Sequence, residues 1–256
     1  MKINYQWNLT GLGNFYVCGA NQSDRRFAAE VHTGHSMSGP LGSKAGIHLY
    51  NGPSNKSQLL AVAGEDSFWA RYALAFNNNS QVFLPGLKAS NLEAEMMHSR
   101  TLPKPSNTVA FRFGIEVGSG EKTRRDIFEW RKVKKSEVDD DLDHGGFKLY
   151  GLGPVYEAEI ASGSSGSGGN NQATTALIDE EHEVVAIFSW RKFLTSPKHP
   201  FDLEMTGSGR CMGERWTLMV LMTALRLWMM HLNGKTSDRI IAAGEKIHDK
   251  ADTIVS

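Results

Sequence analysis

The chain has 256 residues, and its 28 lysines and arginines balance 28 aspartates and glutamates. Zero net charge excludes a global pull toward nucleic acid or an anionic surface, so any such binding must come from a local patch. Hydrophobic residues make up 40% and charged residues 22%, a globular composition, and two cysteines, Cys18 and Cys211, are too few for a disulfide framework or an all-cysteine zinc site.

The length fits one large all-β domain or two small ones, and residues 1–256 are read as one domain. Met1 to Thr10 lacks the charged-then-apolar pattern of a secretory leader. A cytoplasmic or nuclear location is therefore expected, with peripheral membrane attachment as a further option. On that reading the triplets Asn8-Leu9-Thr10 and Asn55-Lys56-Ser57 are chance matches to a glycosylation site.

Short apolar runs recur along the chain, separated by glycine, proline, serine and asparagine. Asn14 to Cys18, Phe27 to Thr33, Gly46 to Tyr50, Gln58 to Ala63, Trp69 to Phe76 and Gln81 to Leu84 read as strands. Asn91 to Arg100 reads as one or two helical turns. The strongest strand signal follows: Val109, Phe111, Phe113, Ile115 and Val117 alternate with Ala110, Arg112, Gly114 and Glu116. Strict alternation places one face on a core and the other in water.

Ile127 to Arg131, Phe147 to Gly151, Tyr156 to Ile160, Thr174 to Ile178, Val184 to Trp190 and Phe201 to Met205 continue the series. Residues 161–172 are nearly all glycine, serine and asparagine and read as a flexible loop with nothing to bury. Ile127-Phe128-Glu129-Trp130-Arg131-Lys132 is echoed by Ile187-Phe188-Ser189-Trp190-Arg191-Lys192, which reads as two similar strand ends.

Glu214 to Asn233 is a helix with apolar residues on every side, opened by Glu214 and stopped at Asn233-Gly234. Such a helix lies either in a large core or in a membrane. Arg226 near its middle costs a membrane span about 2.5–3.5 kcal/mol, so burial is the favoured reading and no transmembrane span is expected. About a dozen amphipathic strands can supply the wrapping. The expected architecture is mainly β (α+β): a closed antiparallel barrel of roughly twelve strands around this hydrophobic helix. Arg226 then needs an interior partner. Residues 236–256 form a helical tail, with Ile240, Ile247, Ala251 and Ile254 near one face.

Phe128-Glu129-Trp130-Arg131, Gly146-Phe147-Lys148-Leu149 and Gly213-Glu214-Arg215-Trp216 leading to Ala224-Leu225-Arg226-Leu227-Trp228 carry a family resemblance. The chain resembles a group of largely uncharacterised fungal proteins whose fold is similar to the tubby C-terminal domain, the phospholipid scramblases and the plant LURP-one-related proteins. The resemblance implies a twelve-stranded barrel enclosing a hydrophobic C-terminal helix. It also implies a role at phosphoinositides or membranes, although no functional residue of those families maps onto a position here.

The best local charge cluster is Lys122, Arg124, Arg125, Arg131, Lys132, Lys134 and Lys135. Arg124, Arg125, Arg131, Lys132, Lys134 and Lys135 are the candidate ligand-binding residues for an anionic lipid headgroup, at about 1 kcal/mol each near an anionic surface. A solvated hairpin is the alternative, and Asp139, Asp140, Asp141 and Asp143 can cancel the field. Asp139, Asp141 and Asp143 have the first spacings of a calcium loop, but His144 stands where glycine is needed and Tyr150 where glutamate is.

Gly207 to Gly213 precedes the helix like a dinucleotide turn, with the spacing off by one. No serine elbow, metalloprotease pair or phosphate loop is present, and the nine histidines are scattered. No cofactor, metal or nucleic-acid partner is expected. The leading expectation is a non-enzymatic module for phosphoinositides or other anionic lipids, followed by a protein-interaction domain and then an enzyme with a cleft at the barrel rim.

Overall fold

A computed structural model of the chain describes residues 4–7, 14–19, 23–34, 39–66, 78–87, 91–104, 106–133, 145–154, 182–190 and 201–255. The strands are β1 (Asn4–Trp7), β2 (Asn14–Cys18), β3 (Arg25–His32), β4 (Gly46–Tyr50), β5 (Leu59–Glu65) and β6 (Ser80–Pro85). They continue as β7 (Leu92–Thr101), β8 (Val109–Val117), β9 (Arg124–Lys132), β10 (Gly146–Pro154), β11 (Val184–Trp190) and β12 (Phe201–Met205). Two helices follow, α1 (Glu214–Leu232) and α2 (Asp238–Val255).

The strands form one antiparallel sheet in which each neighbours the next in chain order. Alternation decides its faces. In β8, Val109, Phe111, Phe113, Ile115 and Val117 lie in the core, and their partners across β9, Phe128 and Trp130, lie there too. Arg112, Glu116, Arg125 and Arg131 fall on the opposite, outer face.

At the seam of the expected barrel, among the described residues, β1 and β12 approach one another without a ladder. Among the described residues β1 pairs with β2 and β12 with β11, and no ladder joins β1 to β12. These edge strands are only four and five residues long, too short to extend far along one another. The strand set differs from the expected one. Asn91 to Arg100 is expected as helical turns, but from Leu92 on it forms strand β7, where pairing with β6 and β8 overrides helix-forming leucine, glutamate, alanine and methionine. β1 has no counterpart in the sequence reading. The expected strands at 69–76, 156–160 and 174–178 and the loop at 161–172 lie outside the described residues.

α1 supplies the centre of the core. Trp216, Met219, Val220, Met222, Thr223, Ala224, Leu225, Arg226, Leu227, Trp228 and Met230 are all buried. Its contacts come from strands far apart in the sheet. The Trp216 ring lies 5.8 Å from Phe128 on β9, and Trp130 Nε1 donates to Thr223 Oγ1 at 3.0 Å. Arg226 Nε donates to Ser80 Oγ on β6 at 3.0 Å. Trp190 on β11 stacks on His231 at 3.9 Å. Trp228 meets both Phe15 of β2, at 5.8 Å, and Phe201 of β12, at 5.4 Å.

At about 100° per residue, with Trp216 as zero, Arg226 lies at about 280°, Thr223 at about 340°, His231 at about 60° and Trp228 at about 120°. Around the helix, the partners run from β6 through β9 and β11 to β12 with β2, which is the order of the sheet. Arg226 has the interior partner its burial demands. Burial pushes its pKa below the ordinary arginine value, and the carboxylates of Glu65 and Asp66 pull it back. Among the described residues no helix is long and apolar enough to cross a membrane.

The helix start is locked in place. Gly213 precedes α1 with φ 103°, and a Cβ there would stand 2.9 Å from the Gly118 carbonyl oxygen. Gly118 N donates to Met212 O at 2.9 Å. One residue into the helix, Arg215 reaches Glu95 at 2.8 Å, Glu116 at 3.0 Å and the Pro85 carbonyl. The glycine-rich stretch before it, Gly207–Cys211, is a 3-10 turn joining β12 to the helix. α2 packs against β7 on the outside. Among its described residues the buried isoleucine is Ile241, which the sequence reading left off the apolar face in favour of Ile240.

Candidate anion-binding site

Antiparallel register brings outer-face residues from separate strands into rows. One row runs Arg100 of β7, Ala110 of β8, Arg131 of β9 and Lys148 of β10, then Ile187 of β11 and Glu204 of β12. The adjacent row runs His98, Arg112, Glu129 and Tyr150. Across β7 to β10 these rows place Arg100, Arg112, Arg131 and Lys148 around the carboxylate of Glu129. Neighbouring strands are about 4.8 Å apart, so side chains of this length converge on one patch.

Glu129 is the hub. Its side chain is 0% exposed although it points away from the core, because arginines cover it. Arg131 Nε donates to Oε1 at 2.9 Å and Arg112 Nε to Oε2 at 3.2 Å. Arg100 Nε lies 3.2 Å from Oε2 as an ion pair without hydrogen-bond geometry. Burial pushes the Arg100 pKa below the ordinary arginine value, Glu129 raises it, and Arg112 and Arg131 lower it again.

The Arg131 guanidinium also lies over the Tyr150 ring, 4.6 Å from its centroid, a contact that fixes the plane of the fork. The side chains of Arg100, Arg112 and Arg131 remain 35%, 34% and 18% exposed. Glu129 meets each most closely through Nε. Glu129 and, from α2, Glu245 beside Arg100 set two carboxylates against three guanidiniums. The surplus charge, with a fork geometry that suits phosphate or carboxylate oxygens, makes this a candidate anion-binding surface.

The sequence-predicted cluster does not assemble as one patch. Arg124 and Lys132 stand at opposite ends of β9, about 26 Å apart at the rise of a strand. Arg124 binds Asp126 at 3.0 Å. Arg125 binds Glu95 at 2.6 Å, Glu116 at 2.6 Å and the Gly114 carbonyl at 3.0 Å, and the bond to Glu95 holds its pKa above the ordinary arginine value. Burial pushes Glu116 up, but hydrogen bonds from Arg125, its own backbone and Arg215 outweigh that and hold it below the usual range. Arg125 therefore belongs to the ion network at the start of α1, while Arg124 is paired with its strand neighbour Asp126.

Lys132 sits at the inward-facing end of β9, where its Nζ donates to the Thr236 carbonyl between the two helices at 2.8 Å. Burial pushes its pKa down. Among the described residues of the predicted set, Arg131 alone joins the outer patch. Lys134, Lys135 and the acidic run Asp139 to Asp143 lie outside the described residues.

Sequence reasoning missed Arg100, Arg112 and Lys148 as ligand candidates. The alternation of β8 already assigns Arg112 to the outer face, which is a usable signal. Arg100 was hidden by the helical reading of its strand, and Lys148 by the missing register between β9 and β10.

A second polar group lies on the outer face of β3 and β4. His32 and His48 stack at 4.8 Å, and Tyr50 donates to Glu30 at 2.8 Å. Burial and His32 push the His48 pKa down. Among the described residues no group of three or more histidines, cysteines, aspartates or glutamates is placed to hold a metal ion. No protein-family model matches the chain, and no curated protein or solved structure matches it significantly.

Proposed function

We propose that the protein is a binding module for anionic ligands, in the first place the phosphate-bearing headgroups of a membrane surface, and that Arg100, Arg112, Arg131 and Lys148 make the contact. The observation that carries this reading is the excess of guanidinium over carboxylate around Glu129. The basic residues lie on the outside of the sheet, while α1 is committed to the core. A rigid strand platform presents Arg112, Arg131 and Lys148 without any change in the sheet, which lowers the entropic cost of binding.

We also infer that the sheet closes around α1 as a barrel of tubby-like architecture. In support, the helix is met from several directions in the order of the strands, and Phe15 and Phe201 from opposite ends of the sheet share Trp228. The family relationship to fungal tubby-like proteins rests on the motifs around Trp130, Phe147, Trp216 and Trp228.

Co-sedimentation with phosphatidylcholine vesicles, with and without phosphatidylserine or a phosphatidylinositol phosphate, tests the function. Binding should require the anionic lipid and weaken with salt. Replacing Arg112 and Lys148 by alanine should lower affinity about 30-fold, from about 1 kcal/mol per charge. Replacing Arg124 should leave binding unchanged. Equal binding to neutral and anionic vesicles would overturn the reading.

A further inference from the structure

α2 is held against the one strand, β7, that brings Arg100 and His98 to the patch. Among the described residues its docking side runs from Ile241 to Glu245. Ile241 is buried in the core cluster, Gly244 is buried beside it, and Glu245 follows on the same face at the spacing of one helical turn. A glycine inside a helix weakens it, and a carboxylate on a docking face is an anchor that water can replace.

Glu245 does not bind an arginine side chain. Its carboxylate accepts from the Thr101 amide at 2.7 Å and from Thr101 Oγ1 at 2.5 Å. That amide belongs to the peptide bond following Arg100, so the charge lies beside Arg100 without engaging it. Arg100 Nε is buried without a hydrogen-bond partner. The base of the helix is tethered by Lys132 Nζ on the Thr236 carbonyl at 2.8 Å and by the turn at Gly234, φ 70°. The acidic groups facing this end of the patch are therefore Glu129 from β9 and Glu245 from α2.

We propose that α2 is a displaceable strap, with Glu245 holding the counter-ion position beside Arg100 that an external anion would otherwise take. Ligand and helix then compete for one end of the patch. Release of the helix removes a negative charge and uncovers β7 as far as Thr101. This rests on the anion-binding reading for its purpose, but the screening itself has consequences of its own.

Two variants of the full chain separate them. Ile241→Ser with Glu245→Ala should undock the helix. Glu245→Gln should remove only the charge. Amide hydrogen exchange at Thr101 and the phenylglyoxal reactivity of Arg100, resolved by peptide mass, report the screen without any ligand. Co-sedimentation with vesicles of phosphatidylcholine and phosphatidylserine reports the competition.

The double variant should exchange Thr101 and modify Arg100 several-fold faster, and bind these vesicles about fivefold more tightly, the effect of about one unit charge at the surface. Glu245→Gln should share the affinity gain while Thr101 stays protected. Unchanged Arg100 reactivity in the double variant overturns the strap, whether or not vesicles bind. So does faster reactivity with unchanged affinity, provided the parent chain binds. Absence of vesicle binding in parent and variants alike instead overturns the anion-binding reading, and Arg100 reactivity still decides the screen.

Discussion

Glu129 is a carboxylate with no solvent contact on the side of a sheet that faces away from the core. Its burial is made by arginine stems, which cover apolar surface while their heads stay near water. The same residue therefore positions Arg131 and Arg112 and separates like charges. Glu129→Gln keeps the shape and removes the neutralising charge, leaving three guanidiniums to repel one another. Discounting for the partial exposure of the arginines, the loss should be about 1–3 kcal/mol. That corresponds to a thermal midpoint lowered by about 2–12 °C for a chain of this size. Added salt should recover part of it by screening the repulsion. A midpoint identical to that of the parent would mean that the carboxylate does not hold the cluster. Arg112 was legible in the sequence because alternation assigns it a face. Its meeting with Arg100, Arg131 and Lys148 was not, because register depends on loop lengths that the strand pattern does not contain.

Among the elements, α1 was read from the sequence with its bounds nearly as observed, since a helix apolar on every side admits few environments. β8 was equally plain from its period of two. β7 was not. Leu92-Glu93-Ala94-Glu95-Met96-Met97 favours a helix locally, and only its neighbours make it a strand, with Met97 opposite Phe113 in the core. The echo between Ile127–Lys132 and Ile187–Lys192 has a related cause. β9 and β11 flank β10, and each turns a phenylalanine and a tryptophan toward α1, where Trp130 bonds Thr223 and Trp190 stacks on His231. The joint between the sheet ends is Trp228, touched by β2 and β12. Trp228→Ala should cost about 3–5 kcal/mol, measured by denaturant unfolding. A loss no larger than for an ordinary surface substitution would show that the two ends do not depend on it.

Taken together, the buried titratable groups give the protein an acid limit. Burial pushes His231 below its ordinary pKa, with Lys132 acting in the same direction, and burial and His32 do the same for His48. The folded state thus prefers both histidines neutral. Their contribution is complete above the unfolded value of about 6.5 and declines as pH falls below it toward the depressed folded values. Glu116, held below the usual carboxylate range, adds stability that is present above about pH 4.3 and lost further into acid. Thermal midpoints should fall in two stages between neutral and acid pH. His231→Phe, which keeps a ring against Trp190, should flatten the first stage. An equally steep first stage in that variant would assign it elsewhere.

The order of the strands also has a meaning in time. Each strand pairs with the one made just before it, so the meander can zip as a ribosome delivers it, with little loop closure at any step. The inner row of phenylalanines and tryptophans has no cover until Trp216 to Met230 emerge, after every strand is already made. A nascent chain halted before residue 214 would hold a lined but unfilled trough, the kind of surface that chaperones bind and that aggregates when they do not. Translation is therefore most vulnerable just before Trp216 to Met230 emerge, and synonymous slowing there should cost more folded product than the same pause earlier in the message.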